Sequence, residues 1–122
     1  MNDDLIYHWE PVVKSLLKRL KTAGFTFTAV DYLDGEIQKV SSVNSACVAI
    51  SAVDECTLML DNRHGESRGI YIVLGNGPHE IVCDYTCDKG IDLVVRLHED
   101  QWLNKKTPTI ERNVYYSNLK KG

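Results

Sequence analysis

Three apolar runs in the second half of the chain are separated only by short, turn-rich segments, and this spacing constrains the fold more than any other feature. The runs are "CTLMLD", "RGIYIVLG" and "EIVCDYT", joined by "NRHGES" and "GNGPH". Gly, Asn, Pro and Ser favour tight turns, and connections this short join antiparallel strands. The sequence therefore predicts an antiparallel meander. The middle run is apolar at successive positions, which predicts a central strand covered on both faces.

Three other segments have the spacing of amphipathic helices. In "PVVKSLLKRLKTAGF" apolar residues recur three and four positions apart, with Pro11 at the start and Gly24 just past the end. A second helix is expected after Ser42, a residue type that favours the N-cap. A third is expected from about residue 91 to residue 104.

Two further strands, about 25–32 and 36–41, are predicted on either side of Asp34-Gly35, a dipeptide that favours a hairpin turn. Residues 3–10 are expected either to add an extra turn to the first helix or to lead into it. The predicted order is α-β-β-α-β-β-β-α, which is typical of a two-layer α+β fold with a mainly antiparallel sheet of about five strands and three helices. We expect residues 1–104 to form one domain and residues 105–122 to form a C-terminal tail.

Composition and charge narrow the classes of function. The chain has 122 residues, of which 43% are hydrophobic and 25% charged, as in globular proteins. Its net charge of −3 provides no broad attraction for a phosphate backbone, which argues against a nucleic-acid partner. The acidic start "MNDD" and the lack of an apolar run of about 18 residues predict a cytoplasmic protein without a membrane partner. In that compartment cysteines are expected to stay reduced.

His79, Cys83 and Cys87 form the densest group of potential metal ligands. Zinc ligands lie about 2.0–2.3 Å from the ion, whereas four residues of a strand span roughly 13 Å. If this segment is a strand, it forms neither a local metal site nor a Cys83–Cys87 disulfide. A thiol–histidine arrangement assembled from distant parts of the chain stays open, in which Cys47, Cys56, Cys83 or Cys87 meets His8, His64, His79 or His98. An enzyme or ligand-binding site on the sheet face would instead gather Cys83, His79 or Asp84.

Other candidate motifs have simpler structural interpretations. The glycines of "LGNGP" lead into a proline and a strand instead of a helix, so we interpret them as a turn and expect no cofactor. His98 lies four residues before Trp102, a spacing that favours ring packing. A basic side of the first helix could contact phosphates, although an amphipathic helix needs a solvated side in any case. Its residues are Lys14, Lys18, Arg19 and Lys21.

The tail contains an apolar and aromatic group that we take as the candidate partner-binding residues. These are Val114, Tyr115, Tyr116 and Leu119. Aromatic side chains are enriched in protein interfaces because they bury a large area at modest entropic cost. The group predicts a protein partner or self-association, and a sixth strand or docking on the chain's own domain is the alternative.

Three stretches carry a resemblance to a known class of proteins. With "HWEPVVKSLLKRLKTAGF", "AISAVDE" and "IYIVLGNGPHEIVCDYT", residues 8–103 resemble small uncharacterised accessory proteins of bacterial plasmids and phages. The resemblance implies a bacterial or phage cytoplasm and defines no activity. Since no catalytic motif was found, we predict a non-catalytic accessory protein that acts by protein–protein interaction. The alternative is a small enzyme or ligand-binding domain with its site on the sheet face.

Overall fold

The computed structural model of the chain describes residues 5–7, 9–75, 77–103 and 109–111. Within these ranges the chain forms three α-helices, seven β-strands and one short 3-10 helix. The helices are α1 (Glu10–Thr22), α2 (Val43–Ser51) and α3 (Lys89–Trp102), and the 3-10 helix is Pro78–Glu80. The strands are β1 (Leu5–Tyr7), β2 (Thr26–Asp31), β3 (Ile37–Lys39), β4 (Glu55–Asp61), β5 (Ser67–Val73), β6 (Val82–Tyr85) and β7 (Thr109–Glu111).

Strands β2 to β6 form one antiparallel sheet in the order β3-β2-β4-β5-β6. The predicted meander is its centre, because β4 pairs with β5 along the full length of both strands. The predicted hairpin joins β2 to β3 through Asp34 and Gly35, and a hydrogen bond from Tyr32 N to Glu36 O closes the turn. The five-stranded antiparallel sheet and the three helices, in the predicted order, confirm the α+β fold.

Strands β1 and β7 form a separate two-stranded ribbon, in which Ile6 pairs with Ile110. The sequence analysis expected residues 3–10 to add a helical turn or to lead into α1, and did not predict this strand. A three-residue strand has too little pattern of its own to be recognised, and its partner lies about a hundred residues away in the sequence. The ribbon pairs residues 109–111, which belong to the predicted C-terminal tail, with residues 5–7 near the start of the chain.

The helices cover one face of the sheet. Along β4 the buried residues are Cys56, Leu58 and Leu60, and the residues between them point to the other face. Strand β5 buries Ile70 and Ile72 in the same way. The helices complete the core with Val12, Val13, Leu16, Leu17 and Leu20 of α1, Ala46, Cys47, Ala49 and Ile50 of α2, and Ile91, Val94, Val95 and His98 of α3.

The prediction that the middle strand of the meander is covered on both faces is wrong. In β5 the residues opposite the buried isoleucines are Gly69, Tyr71 and Val73, and all three are only half-buried. A continuous apolar run shows that both faces tolerate apolar contact, but the helices are placed by tertiary packing and lie on one side only. An apolar second face is therefore left accessible.

The ends of the helices follow local side-chain chemistry. Pro11 lies in the first turn of α1, and Gly24 follows the helix with a φ of +97°, as the sequence predicted. Ser42 caps α2 in a reciprocal capping box with Ser45. Asp88 caps α3 by accepting hydrogen bonds from two backbone N–H groups of its first turn.

Asp88 also joins α3 to the β4–β5 turn. Its carboxylate accepts hydrogen bonds from Arg68 Nε at 2.9 Å and from Asn62 Nδ2 at 3.3 Å. Burial acts to raise the pKa of Asp88, but the hydrogen bonds from Arg68, from the Ile91 and Gly90 N–H groups and from Asn62 outweigh it and lower the pKa. The carboxylate therefore stays ionised and holds the helix in register with the sheet.

Neighbouring residues of β4 offer a test of the one-sided core. Leu58→Ala removes a fully buried side chain and should lower the free energy of unfolding by about 3 kcal/mol. Met59→Ala, one position along on the other face where Met59 is 38% exposed, should cost less than about 1 kcal/mol. Urea denaturation followed by circular dichroism measures both, and equal losses would contradict the one-sided core.

Candidate functional site

The face of the sheet opposite the helices has no covering element among the described residues, and we call it the open face. Strand pairing places five residues in one row across it, one from each strand. From the β3 edge to the β6 edge these are Ile37, Asp31, Thr57, Tyr71 and Asp84. Cross-strand neighbours lie about 5 Å apart, so the row presents both polar and apolar groups over roughly 20 Å.

The open face combines apolar surface with negative charge. Its exposed or half-buried apolar groups are Ile37, which is 59% exposed, together with Met59, Val73 and the Tyr71 ring. The strand registers place four carboxylates on it, and Lys39 is the basic residue of the same described strands that faces this way. The carboxylates are Asp31, Glu55, Asp61 and Asp84. The face therefore has a formal charge of −3.

Tyr71 is held in place at the centre of this face. Its hydroxyl donates a short hydrogen bond to the Glu55 carboxylate. That hydrogen bond, with smaller contributions from burial and from the charges of Glu55 and Cys83, raises the pKa of Tyr71. The Tyr71 hydroxyl therefore stays protonated and already has a hydrogen-bond partner. Its aromatic ring is held in place as an apolar surface.

Beside Tyr71 the face has a shallow hollow of about 320 Å³. Gly69 forms its base and is joined to Thr86 by two hydrogen bonds, from Gly69 N to Thr86 Oγ1 and from Thr86 N to Gly69 O, each 2.9 Å long. Asp84 and Thr57 line the sides. A hollow of this size accommodates a side chain of a partner protein.

The predicted candidates His79, Cys83 and Asp84 are not brought together as one site. Cys83 and Asp84 are exposed on β6, where a register shift opposite Tyr71 and Ile72 interrupts the regular alternation. His79 lies in the 3-10 helix, which packs against α3, and its Nε2 is 3.4 Å from Glu80 Oε1. The premise that His79 shares a strand with Cys83 is therefore wrong, because Pro78 begins a helical turn there.

No group of three or more His, Cys, Asp or Glu side chains is arranged to hold a metal ion within the described ranges. Cys47, Cys56 and Cys87 are free thiols. Burial raises the pKa of the Cys47 thiol and raises that of Cys56 to about 11, with a smaller effect of Asp31 on Cys56. Both groups are uncharged at neutral pH and are poor nucleophiles.

The basic side of α1 is partly used within the protein. Arg19 donates hydrogen bonds from Nε and Nη2 to Gln101 Oε1, which also accepts one from Ser15. These contacts attach α1 to α3, so Arg19 belongs to the helix interface. Lys14, Lys18 and Lys21 are exposed.

A cleft of about 760 Å³ lies at the end of the sheet where β4 begins and β5 ends. Its wall includes Trp9 and Leu74, and its charged groups are Asp54 and Glu55. Glu55 already accepts the Tyr71 hydrogen bond, so the cleft and the open face meet at this residue. Two carboxylates at successive positions of one segment, without a basic partner in the lining, provide no acid–base pair.

His98 packs against Trp102 as predicted, with ring centroids 6.3 Å apart. It is fully buried, and its Nε2 donates to Pro78 O at 2.9 Å. Among the described residues its Nδ1 has no hydrogen-bond partner. Burial lowers the pKa of His98 and the charges of Arg19 and His79 lower it further, while the hydrogen bond to Pro78 opposes them.

The candidate partner-binding residues Val114, Tyr115, Tyr116 and Leu119 lie outside the described residues, so their prediction stays untested. The residues that the sequence analysis did not single out are those of the open face, notably Thr57, Met59 and Tyr71. The alternation in "CTLMLD" separates Thr57 and Met59 from the buried leucines. That signal identifies a second face but does not show whether another element covers it.

Comparisons with known proteins assign neither a family nor a function to the chain. No protein-family model matches the chain, and no curated protein or solved structure is significantly similar to it. Within the described ranges no helix is both long enough and apolar enough to cross a lipid bilayer. A function must therefore be inferred from the described surface.

The environment of His98 predicts pH-dependent stability. The unfolded state takes up this proton near the ordinary pKa of 6.5, whereas the folded state takes it up only at lower pH. Stability should therefore be greatest above pH 6.5 and decrease as the pH falls below it, until the folded-state pKa is passed. Urea unfolding at several pH values measures this slope.

His98→Gln should remove this part of the pH slope, because glutamine does not titrate. The matched control is His64→Gln, which alters an exposed histidine in the β4–β5 turn and should leave the slope in place. An unchanged slope in the His98 variant would contradict the assignment.

Proposed function

We propose that the protein is a non-catalytic accessory protein of the bacterial cytoplasm, encoded by a plasmid or phage, that binds a protein partner through the open face. The observation that supports this function is the uncovered apolar and acidic surface of the five-stranded sheet. Sheets of small domains normally bury one face and keep the other polar. Apolar groups surrounded by charge on an accessible surface are typical of interaction sites.

The side chains on the open face are of the kinds that form interface centres. Aromatic residues and methionine are enriched there, since they bury much area and adapt to a partner's shape. Tyr71 is held in place by Glu55, so little entropy is lost when a partner covers it. Met59 lies beside it on the neighbouring strand and Ile37 lies at the β3 edge of the same row, and both can be desolvated at no electrostatic cost.

The negative charge of the face favours a basic partner. Carboxylates spread across the surface would accelerate encounter with a cationic polypeptide and would repel acidic ones. The same charge disfavours nucleic acid on this face, since phosphates would meet Asp31, Asp84 and Glu55. We therefore propose a protein segment with both basic and apolar side chains as the ligand.

A photo-crosslinking amino acid placed at Met59 tests this proposal in the full chain. Expressed in bacterial cells and irradiated, the Met59 variant should form a discrete protein adduct that mass spectrometry identifies. The matched control carries the same amino acid at Lys18, on the exposed side of α1, and should not form that adduct. The partner's crosslinked segment should be basic.

Changing the charge of the face is the second arm of this experiment. Thr57→Lys with Asp84→Lys changes the formal charge of the open face from −3 to 0 and should reduce the yield of the adduct severalfold. Lys14→Glu with Lys18→Glu, on the helix layer, should leave the yield unchanged. Crosslinks that are equally strong from both positions, or that are insensitive to the charge of the face, would contradict binding through the open face.

A further inference from the structure

We propose that the partner protein adds a strand to the sheet along the outer edge of β3. This inference rests on the proposed function, because it states how the partner of the open face is held. The added strand is an extended segment that runs antiparallel to β3. It has apolar side chains at alternate positions and basic side chains toward its C-terminal end.

Strand β3 is the more regular of the two outer strands of the sheet. Within the part of the chain that the structure describes, it pairs with β2 alone and without a register shift. At the opposite edge, a register shift interrupts the pairing of β6 with β5. Such irregularities hinder the addition of a further strand, so β3 is the edge that is suited to pairing.

The hydrogen bonds between β2 and β3 show which backbone groups of β3 are used within the sheet. Tyr32 N donates to Glu36 O at 3.0 Å, and Val40 N donates to Thr28 O at 3.2 Å. Hydrogen-bonded pairs alternate along an antiparallel ladder, so Gln38, midway between these bonds, also directs its backbone N–H and C=O to β2.

The backbone groups of Ile37 and Lys39 therefore point away from the sheet. The Gln38 side chain donates from Nε2 to Lys39 O at 3.3 Å, a contact that an incoming N–H group would replace. An antiparallel segment opposite Ile37 and Lys39 would form about four backbone hydrogen bonds. A strand of three residues offers no more than this, so side-chain contacts must supply the rest of the affinity.

A groove of about 680 Å³ lies between β3 and α2 and provides such contacts. Its apolar surface comes from Val40, Val48, Ala49 and Ala52, and Val48 is 68% exposed. Side chains of a strand point alternately to its two sides, so every second side chain of the added strand would enter this groove. The others would lie beside Ile37 on the open face.

The charges around β3 favour one direction of the partner's charge pattern. Asp31 ends β2, Asp34 lies in the following turn and Glu36 immediately precedes β3. Lys39 is at the other end of β3. An antiparallel segment would enter beside Lys39 and leave beside the three carboxylates. Charge complementarity therefore favours basic side chains toward the C-terminal end of the segment.

The β3 strand of a second copy fits this edge less well. Two β3 strands related by a two-fold axis would pair about Gln38, because Ile37 and Lys39 carry the outward backbone groups. The second copy would then direct Gln38, a polar residue, toward a groove whose exposed surface includes Val48. An apolar side chain at that position gains more from burial.

Crosslinkers on the two sides of the added strand test its position. A photo-crosslinking amino acid is placed at Ile37, on the open face, or at Val48, in the groove, and the full chain is irradiated in bacterial cells. Both variants should capture the protein captured from position 59. Mass spectrometry should locate both main crosslinks in one segment, at residues an odd number of positions apart. Crosslinks in separate segments would overturn the proposal.

The matched control carries the same amino acid at Leu93, which is 58% exposed on α3. This position should not form the adduct, because it lies on the helix layer away from the β3 edge. An adduct of equal yield from Leu93 would show nonspecific capture by exposed apolar positions and would overturn the assignment to the groove.

Proline tests the backbone pairing directly. Lys39→Pro removes an N–H that points away from β2, and proline is tolerated on outer strands at such positions. Lys39→Ala removes the same side chain but keeps the N–H. With the crosslinker at position 48, the adduct yield of the proline variant should be severalfold lower than that of the alanine variant. Equal yields from the two variants would overturn backbone pairing.

A second variant leaves the sheet unchanged and tests the groove. Val48→Asn replaces an exposed apolar side chain by a neutral polar one and, with the crosslinker at position 37, should reduce the adduct yield severalfold. Leu93→Asn is the matched change on α3 and should leave the yield at the wild-type level. A yield that Val48→Asn does not alter would contradict docking in the groove.

Irradiation of the purified protein alone distinguishes a partner from a second copy. An adduct between two copies from position 48 would assign the groove to a second copy and would overturn the proposal. The result can also be separated from that of the proposed function. If position 59 gives an adduct that depends on the charge of the face but positions 37 and 48 give none, strand addition fails and the proposed function stands. If position 59 gives none either, both fail.

Discussion

Burial of one face of the β4–β5 hairpin against three helices is the interaction on which the rest of this structure depends. Leu58, Leu60, Ile70 and Ile72 are almost completely removed from water, and each such side chain contributes roughly 1.5–3 kcal/mol relative to an exposed position. Strands β2 and β6 pair with the two edges of this hairpin, and α2 packs against β4. The helix ends are then adjusted by local hydrogen bonds, of which those to Asp88 also reach the sheet.

One-sided burial has a direct consequence for the opposite face. Residues in a strand alternate, so each leucine or isoleucine pointed at the helices leaves a neighbour pointed away from them. In β4 and β5 these neighbours include Thr57, Met59, Tyr71 and Val73, which are too apolar to be a purely solvating surface. The carboxylates around them keep the face hydrated and favour a positively charged binding partner.

The buried titratable groups Cys47, Cys56 and His98 are uncharged at neutral pH. Cys47 and Cys56 are uncharged thiols within the core, and His98 is a neutral ring that connects α3 to the 3-10 helix through Pro78. Cysteine and histidine are common catalytic residues, so from the sequence alone these positions are candidates for reactive groups. Their burial makes them packing elements, and the groups available to other molecules are those on the surface.

The sequence by itself determined the elements and their order, because hydrophobic periodicity, turn residues and caps act over a few neighbouring positions. It predicted the meander, the hairpin at Asp34-Gly35, the Ser42 cap and the packing of His98 on Trp102. It missed the β1–β7 ribbon and wrongly placed His79 on a strand. Only the tertiary structure decided that the helices lie on one side of the sheet, so that Tyr71 and Met59 belong to a surface that no described element covers. Alternation along a strand distinguishes two faces, but which face is buried depends on contacts between residues far apart in the chain.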